Sequence, residues 1–143
     1  AALLNVKLPS DLLDSLARRD PDDAVRQQAA QLLARLPEHS TARALLASAD
    51  LPARHGAIVG FLQQKPADAP ARSSLADLAR SPLAERQLTA LRCLADVAVP
   101  GQEAFVEENL RSCQPERVAA ALNVVPTLPS PNVLGAALPY LTD

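Results

Sequence analysis

The stretch DPDDAVRQQAAQLLARLP, residues 20–37, begins with acidic residues and a proline and continues as an amphipathic segment with an arginine near its start. Acidic residues and proline are both favoured in the first turn of a helix. The segment that follows them has the apolar spacing of one helix face. The stretch therefore predicts an acidic turn and then a helix with one core-facing stripe. That stripe comprises Val25, Ala29, Leu32 and Leu36.

Thirteen prolines divide the chain at regular intervals. One series, spaced by 31, 30 and 33 residues, precedes helical patterns, where proline is tolerated because its missing N–H would be unpaired. A second series, spaced by 29, 34 and 29 residues, follows these patterns, where proline ends a helix. The two series predict four similar helices. The first series comprises Pro21, Pro52, Pro82 and Pro115, and the second series comprises Pro37, Pro66, Pro100 and Pro129.

Another apolar-periodic stretch precedes each bracketed helix, so the unit is a first helix, a turn and a second helix, repeated about every 31 residues. One pair cannot bury its apolar face alone, whereas stacked pairs share a core. We therefore predict an all-α fold, an α-solenoid of about four to four and a half helix pairs. It would form a single domain over 1–143 within a longer protein. The expected repeats are 8–38, 39–67, 70–100, 102–129 and a partial one at 130–143.

An arginine recurs near the start of each second helix, at spacings of 28, 32 and 31 residues. With its acidic turn, Val-Arg entry and Ala/Leu-rich helix, the stretch 20–37 resembles the short bacterial kind of HEAT repeat. The excess of arginine over lysine is also consistent with a bacterial origin. The resemblance implies a ladder of Asp–Arg hydrogen bonds between neighbouring units, with Asp20 or Asp22 pairing with Arg26 and Asp50 with Arg54.

The third and fourth turns, RSPLAER and SCQPER, lack an aspartate at that place, where Glu85 and Glu116 could substitute. Aspartate in a first helical turn also caps free N–H groups without any further function. We therefore predict a structural role for the whole set. It comprises Asp20, Asp22, Arg26, Asp50, Arg54, Arg86 and Arg117.

The usual motifs of catalysis and cofactor binding are missing from the sequence. His39 and His55 have no Cys, His or carboxylate three or four residues later, so the spacing of a metal site is absent, and we expect both at the surface or in turns. Four glycines cannot form a glycine-rich phosphate loop, and no G-x-S-x-G turn occurs. We predict no catalytic, metal or cofactor residue, and hence no enzyme.

The composition excludes further classes of function. Fourteen basic and sixteen acidic residues are spread evenly, so we expect no nucleic-acid partner. No apolar run is long enough for a membrane span, so we expect a soluble protein. A cytoplasmic location is favoured, but the chain does not begin with Met, which leaves a periplasmic or secreted location open.

Three kinds of HEAT-like enzyme match the sequence less well. DNA glycosylases of this architecture use a basic groove with aromatic residues, deoxyhypusine hydroxylase uses His-Glu pairs, and bilin lyases share only the short repeat. We instead predict a non-catalytic scaffold or interaction module that binds another protein or domain, with a structural or regulatory appendage as the alternative. The candidate surface on the second helices comprises Gln27, Gln28, Gln31, Arg35, Gln63, Gln64, Gln87 and Arg92.

Cys93 and Cys113 lie 20 residues apart on successive predicted helices. They are interpreted either as small buried apolar residues or as a disulfide, which would need an oxidising compartment.

Two late prolines and an apolar C-terminal face lead to further predictions. Pro126 should end or kink the fourth second helix, and Pro139 should act similarly on the last helix, because proline removes a helical hydrogen bond. The last helix has no capping unit, so Leu134, Leu138 and Leu141 form an apolar face through which the chain could self-associate.

Overall fold

The computed structural model describes residues 10–37 and 40–141. Within these ranges the regular elements are all α-helices and no strand occurs, which confirms the predicted all-α class. No helix in the described ranges has the length and apolar character that a membrane crossing requires. Contacts along the chain define two compact units, with the boundary after Lys65. The prediction of one domain over 1–143 stays a prediction.

The first unit contains four helices. Its central contact joins α2 and α4, and α1 and α3 both pack against α2. The helix that follows the acidic turn thus lies at the centre of this unit. The helices are α1 (Ser10–Arg19), α2 (Asp23–Ala34), α3 (Ser40–Leu45) and α4 (Leu51–Gln64).

The second unit contains five helices. The pairs α5–α6 and α7–α8 are in contact, as the helix-pair pattern predicts, and α6 also packs against α8 and α7 against α9. Two side chains contact backbone carbonyls in this unit. Thr127 Oγ1 lies 2.7 Å from the carbonyl oxygens of both Leu94 and Val124, which share its one hydroxyl proton. Tyr140 Oη donates to the Leu110 carbonyl at 2.8 Å. The helices are α5 (Ala69–Arg80), α6 (Ala84–Asp96), α7 (Glu103–Leu110), α8 (Pro115–Leu122) and α9 (Pro131–Leu141).

The second helices begin where the first proline series and the acidic turns place them. The helices α2, α4, α6 and α8 each start within two residues of a proline of that series. At α2 the Asp22 carboxylate accepts a hydrogen bond from the Ala24 N–H at 2.8 Å. This bond satisfies one of the N–H groups that a helix start leaves free.

Of the apolar stripe predicted for α2, only Ala29 is fully buried, since Val25 is half-buried and Leu36 lies beyond the end of the helix. Leu32 is 44% exposed, whereas Leu33 is buried together with Ala29, Ala30 and Ala34. The stripe is therefore rotated by about one residue and is made mostly of alanine, because α4 approaches α2 too closely for larger side chains.

Two glycines produce this close approach of α4 to α2. A Cβ built on Gly56 would lie 2.0 Å from the Gln27 carbonyl oxygen, and one on Gly60 would lie 2.6 Å from the Gln31 carbonyl oxygen. The backbones can be this close only because glycine has no side chain. These glycines weaken α4 as an isolated helix, yet they make its packing possible, and Ala53–Leu62 are all buried.

The two late prolines behave differently. Helix α8 ends at Leu122, before Pro126, and turn residues follow it, so the predicted break is confirmed. Pro139 does not end α9, because α9 continues through Pro139 to Leu141, and the alternative that Pro139 kinks this helix stays a prediction. The carbonyl that loses its partner belongs to Gly135, four residues earlier, and this residue is exposed, so water can hydrate the carbonyl.

Candidate interaction surface

The Arg26 side chain joins two successive turns of the first unit. Its Nε donates to Asp50 Oδ2 at 2.9 Å and its Nη2 donates to Asp50 Oδ1 at 3.2 Å, a two-pronged bond to the residue just before α4. Its Nη1 donates to the backbone carbonyl of Asp20 at 2.7 Å, and Nη2 also contacts the Asp23 carboxylate. One guanidinium therefore connects the turn before α2 to the turn before α4.

The surroundings of Arg26 favour its charged form. Its side chain is 15% exposed, against 38% for Asp50. The hydrogen bond to Asp50, with a smaller contribution from Asp23, raises the pKa of Arg26 above its ordinary value and outweighs desolvation. A raised pKa of a basic group stabilises the fold at every pH below the ordinary value. The junction is thus a permanent charged contact at neutral pH.

The other members of the Asp/Arg set have different surroundings. Asp22 caps α2 through the Ala24 N–H, and Arg54 is buried in α4. Arg86 and Arg117 lie half-buried near the starts of α6 and α8. The Nε of Arg117 is buried and has no hydrogen-bond partner in the described part of the chain. Within this set, the Arg26 guanidinium bonds to the Asp50 carboxylate of the next turn and to the backbone carbonyl of Asp20.

Several of the predicted surface residues take part in contacts within the first unit. Gln31 Nε2 donates to Gln63 Oε1 at 2.9 Å, and Gln64 Nε2 donates to the Arg35 carbonyl at 2.8 Å. The backbone carbonyl of Gln27 faces Gly56. These side chains therefore reinforce the α2–α4 contact as well as border its surface.

A groove lies between α6 and α8 in the second unit. It encloses about 290 Å³, and its small apolar residues are Ala95, Ala119 and Ala120. Arg92 and Glu116 bring charges of both signs. Arg92 is the predicted surface residue that lies in this groove. Leu88 and Asn123 complete the lining.

A larger cleft of about 670 Å³ lies between α5 and α7 of the same unit. Gln87 lines it, although its Nε2 is bound to the Ser81 carbonyl at 2.6 Å. Asn109 also lines it, and its Oδ1 is buried with no partner among the described residues. Sequence periodicity did not indicate Asn109, because a single asparagine inside a helix is an ordinary surface residue.

The histidines and cysteines add no metal or redox site in the described ranges. His39 lies outside the described residues, and the prediction that His55 is at the surface or in a turn is wrong, because α4 buries it with its neighbours. Cys93 is buried in α6, Cys113 is exposed, and these two described residues do not form a disulfide. No group of three or more metal-ligating side chains occurs among the described residues.

Comparisons with known proteins give no match: no protein-family model, curated protein or solved structure is significantly similar to this chain.

Proposed function

We propose that this protein is a non-catalytic interaction module, built from HEAT-like helix pairs stacked as a solenoid, that binds another protein or domain through its second helices. Within each unit, the second helices also contact each other, α2 with α4 and α6 with α8. The Arg26–Asp50 bond joins two successive pairs in the first unit. Both features support stacking of repeated pairs, in which neighbouring repeats bury a shared core.

The observation that carries the functional proposal is the α6–α8 groove. Its alanines leave room for side chains of a partner, and its charged residues offer directional contacts. Protein interfaces combine a small apolar centre with a polar rim in this way. A groove of about 290 Å³ accommodates a few side chains rather than a folded domain, so we expect it to bind a protruding segment of the partner.

A photo-crosslinker in the groove would test this proposal. We would replace Ala119, which lines the groove, with benzoylphenylalanine, and use Ala69, an exposed position at the start of α5, as the matched control. We expect one polypeptide to crosslink from position 119 but not from position 69, in a cell extract of the source organism. Crosslinking of the same products from both positions would reject the groove as the binding site.

A second measurement tests whether blocking the groove prevents binding of the partner. Ala119→Arg fills the groove with a long charged side chain, whereas Ala69→Arg adds the same side chain elsewhere. We expect only the first variant to lose the crosslinked partner, with both variants equally helical by circular dichroism. Retention of the partner by Ala119→Arg at wild-type affinity would contradict the proposal.

A further inference from the structure

The cleft between α5 and α7 in the second unit has charged groups of both signs in its lining. Its volume of about 670 Å³ lies within the range of sites that bind small ligands. Arg80 is the cation of the lining and Glu108 is the carboxylate. The Nη2 of Arg80 donates to Asp77 Oδ1 at 2.9 Å, so this cation already has a counter-charge on its own helix.

The carboxylate of Glu108 has no such partner in the described part of the chain. The other two glutamates of α7 are both engaged: Glu103 accepts a hydrogen bond from the Gly101 N–H at 2.9 Å, and Glu107 pairs with Arg111. Glu108 is exposed, lines the cleft and makes neither kind of side-chain contact with a described residue. The cleft therefore contains one unpaired negative charge that a ligand can reach.

The ring of Phe105 is a second group in this cleft that attracts cations. Phe105 is half-buried, and it lies three residues before Glu108, so the two side chains share one face of α7. The face of an aromatic ring attracts a cation, and the planar guanidinium of arginine also stacks on it. The first unit contains this contact, because the Arg43 guanidinium lies over the Phe61 ring, 3.9 Å from its centroid. Among the described residues no cation lies over Phe105.

Side-chain amides add hydrogen-bond acceptors to the same cleft. Gln87 donates through Nε2 to the Ser81 carbonyl, and its Oε1 has no partner among the described residues. The half-buried side chain of Gln102 makes no hydrogen bond within the same ranges. Asn109 donates through Nδ2 to the Phe105 carbonyl at 2.9 Å, and the partial negative charge of its buried Oδ1 is not compensated by a described donor. That charge attracts a cation through space, without a direct contact.

We propose that the α5–α7 cleft binds an arginine side chain in a peptide segment of a partner protein. The guanidinium would pair with the Glu108 carboxylate, stack on the Phe105 ring and donate its remaining N–H groups to the amide oxygens of Gln87 and Gln102. A guanidinium carries five donors and no acceptor, so it complements a lining whose unpaired charge is negative and whose free amide oxygens accept. The ammonium group of lysine has the charge but lacks the plane that stacks on a ring. The cleft and the α6–α8 groove have different linings, so this site can fail or succeed independently of the proposed function.

Three capped pentapeptides would test the proposal directly. Each has alanine at four positions and carries arginine, citrulline or lysine at the centre, and citrulline has nearly the shape of arginine without its charge. Titration of the ¹⁵N-labelled full chain, followed by NMR, would measure each dissociation constant and show which residues respond. We expect the arginine peptide to bind at least about tenfold more tightly than the citrulline peptide, because hydrogen bonds between charged groups are the stronger ones. The lysine peptide should be intermediate, and the largest shifts should occur at Gln87, Gln102 and Glu108.

Variants of the protein would identify the binding site. Glu108→Gln removes the charge from an exposed side chain, so it should weaken the arginine peptide about fivefold and leave the citrulline peptide unchanged. Glu116→Gln is the matched control, because Glu116 is also exposed but lines the α6–α8 groove, and it should keep the wild-type affinity. Phe105→Leu keeps an apolar side chain without the ring and should reduce the preference for arginine over lysine.

Several results would overturn the inference. They are the absence of any shift with the arginine peptide, equal affinities for the arginine and citrulline peptides, and wild-type affinity in Glu108→Gln. A lysine peptide that binds as tightly as the arginine peptide would contradict the assignment to a guanidinium. Shifts confined to Arg92 and its neighbours would place the peptide in the α6–α8 groove and contradict the assignment to this cleft.

Discussion

Replacement of Gly56 by alanine should be among the most destabilising single-methyl changes in this protein. The new Cβ would lie 2.0 Å from the Gln27 carbonyl oxygen and 3.0 Å from the Ala30 Cβ. Ordinary contact begins near 3.4 Å, so the carbon and the oxygen would have to separate by about 1.4 Å. The obstacle is backbone, which cannot rotate away as a flexible side chain can, so α2 and α4 must move apart.

The magnitude follows from two opposing effects. Overpacking a core costs about 1–3 kcal/mol, and we expect the upper end here because a helix must shift. The better helix propensity of alanine offsets about 1 kcal/mol of this cost. The net loss in the free energy of unfolding should be about 2 kcal/mol for Gly56→Ala.

Gly135→Ala is the matched control for this change. Gly135 lies inside α9, and a Cβ there meets no atom within 4 Å, so only the propensity gain of about 0.5–1 kcal/mol should remain. Urea unfolding followed by circular dichroism at 222 nm would measure both variants. If Gly56→Ala were as stable as the wild type, the close α2–α4 contact would be refuted.

Three further changes test individual contacts. Arg26→Gln and Asp50→Asn should each lower the melting temperature, and the double variant should lower it by less than the sum of the two single losses. Arg19→Gln, at an exposed position, should change the melting temperature little. Additive losses in the double variant would show that Arg26 and Asp50 do not interact. Tyr140→Phe should lose about 1 kcal/mol of stability, because its hydroxyl donates to a backbone carbonyl of α7, and unchanged urea unfolding would contradict this bond. Thr127→Val should lose a similar amount, about 1 kcal/mol, because it removes the hydroxyl that the carbonyls of Leu94 and Val124 share, and a thermal shift of zero would exclude that contribution.

Helix boundaries were predictable from the sequence because they depend on local chemistry. Proline and acidic residues specify helix starts through single-residue effects, so the starts of α2 and α8 lie where the sequence puts them. The break after α8 follows from Pro126 for the same reason. Pro139 is the exception, because a proline near a helix end removes one bond whose acceptor can be hydrated.

Contacts between helices were less predictable, because they depend on how closely two backbones approach. Gly56 and Gly60 lie four residues apart on α4 and face Ala30 and Ala34, four apart on α2. This matched spacing of small residues on the two helices indicates close packing, whereas helix propensity alone predicts only that α4 is a weak helix. The same packing buries His55, which polarity alone would place at the surface.

The candidate site was predictable only in its general location. The sequence placed Arg92 on the surface of a second helix, and the structure places it in the α6–α8 groove. The pairing of Arg26 with Asp50, 24 residues away, required the relative position of two helices. That the Arg117 Nε has no hydrogen-bond partner among the described residues likewise depends on how the helices pack, which no local sequence pattern indicates.

The most direct test of the account is the affinity of the crosslinked partner for the wild-type protein and for Ala119→Arg, measured by calorimetry with Ala69→Arg as the control. If the α6–α8 groove binds the partner, the charged side chain at position 119 should raise the dissociation constant at least about tenfold, since losing even 1.4 kcal/mol of binding has that effect. The control should keep the wild-type value. Equal affinities of the wild type and Ala119→Arg would contradict the account.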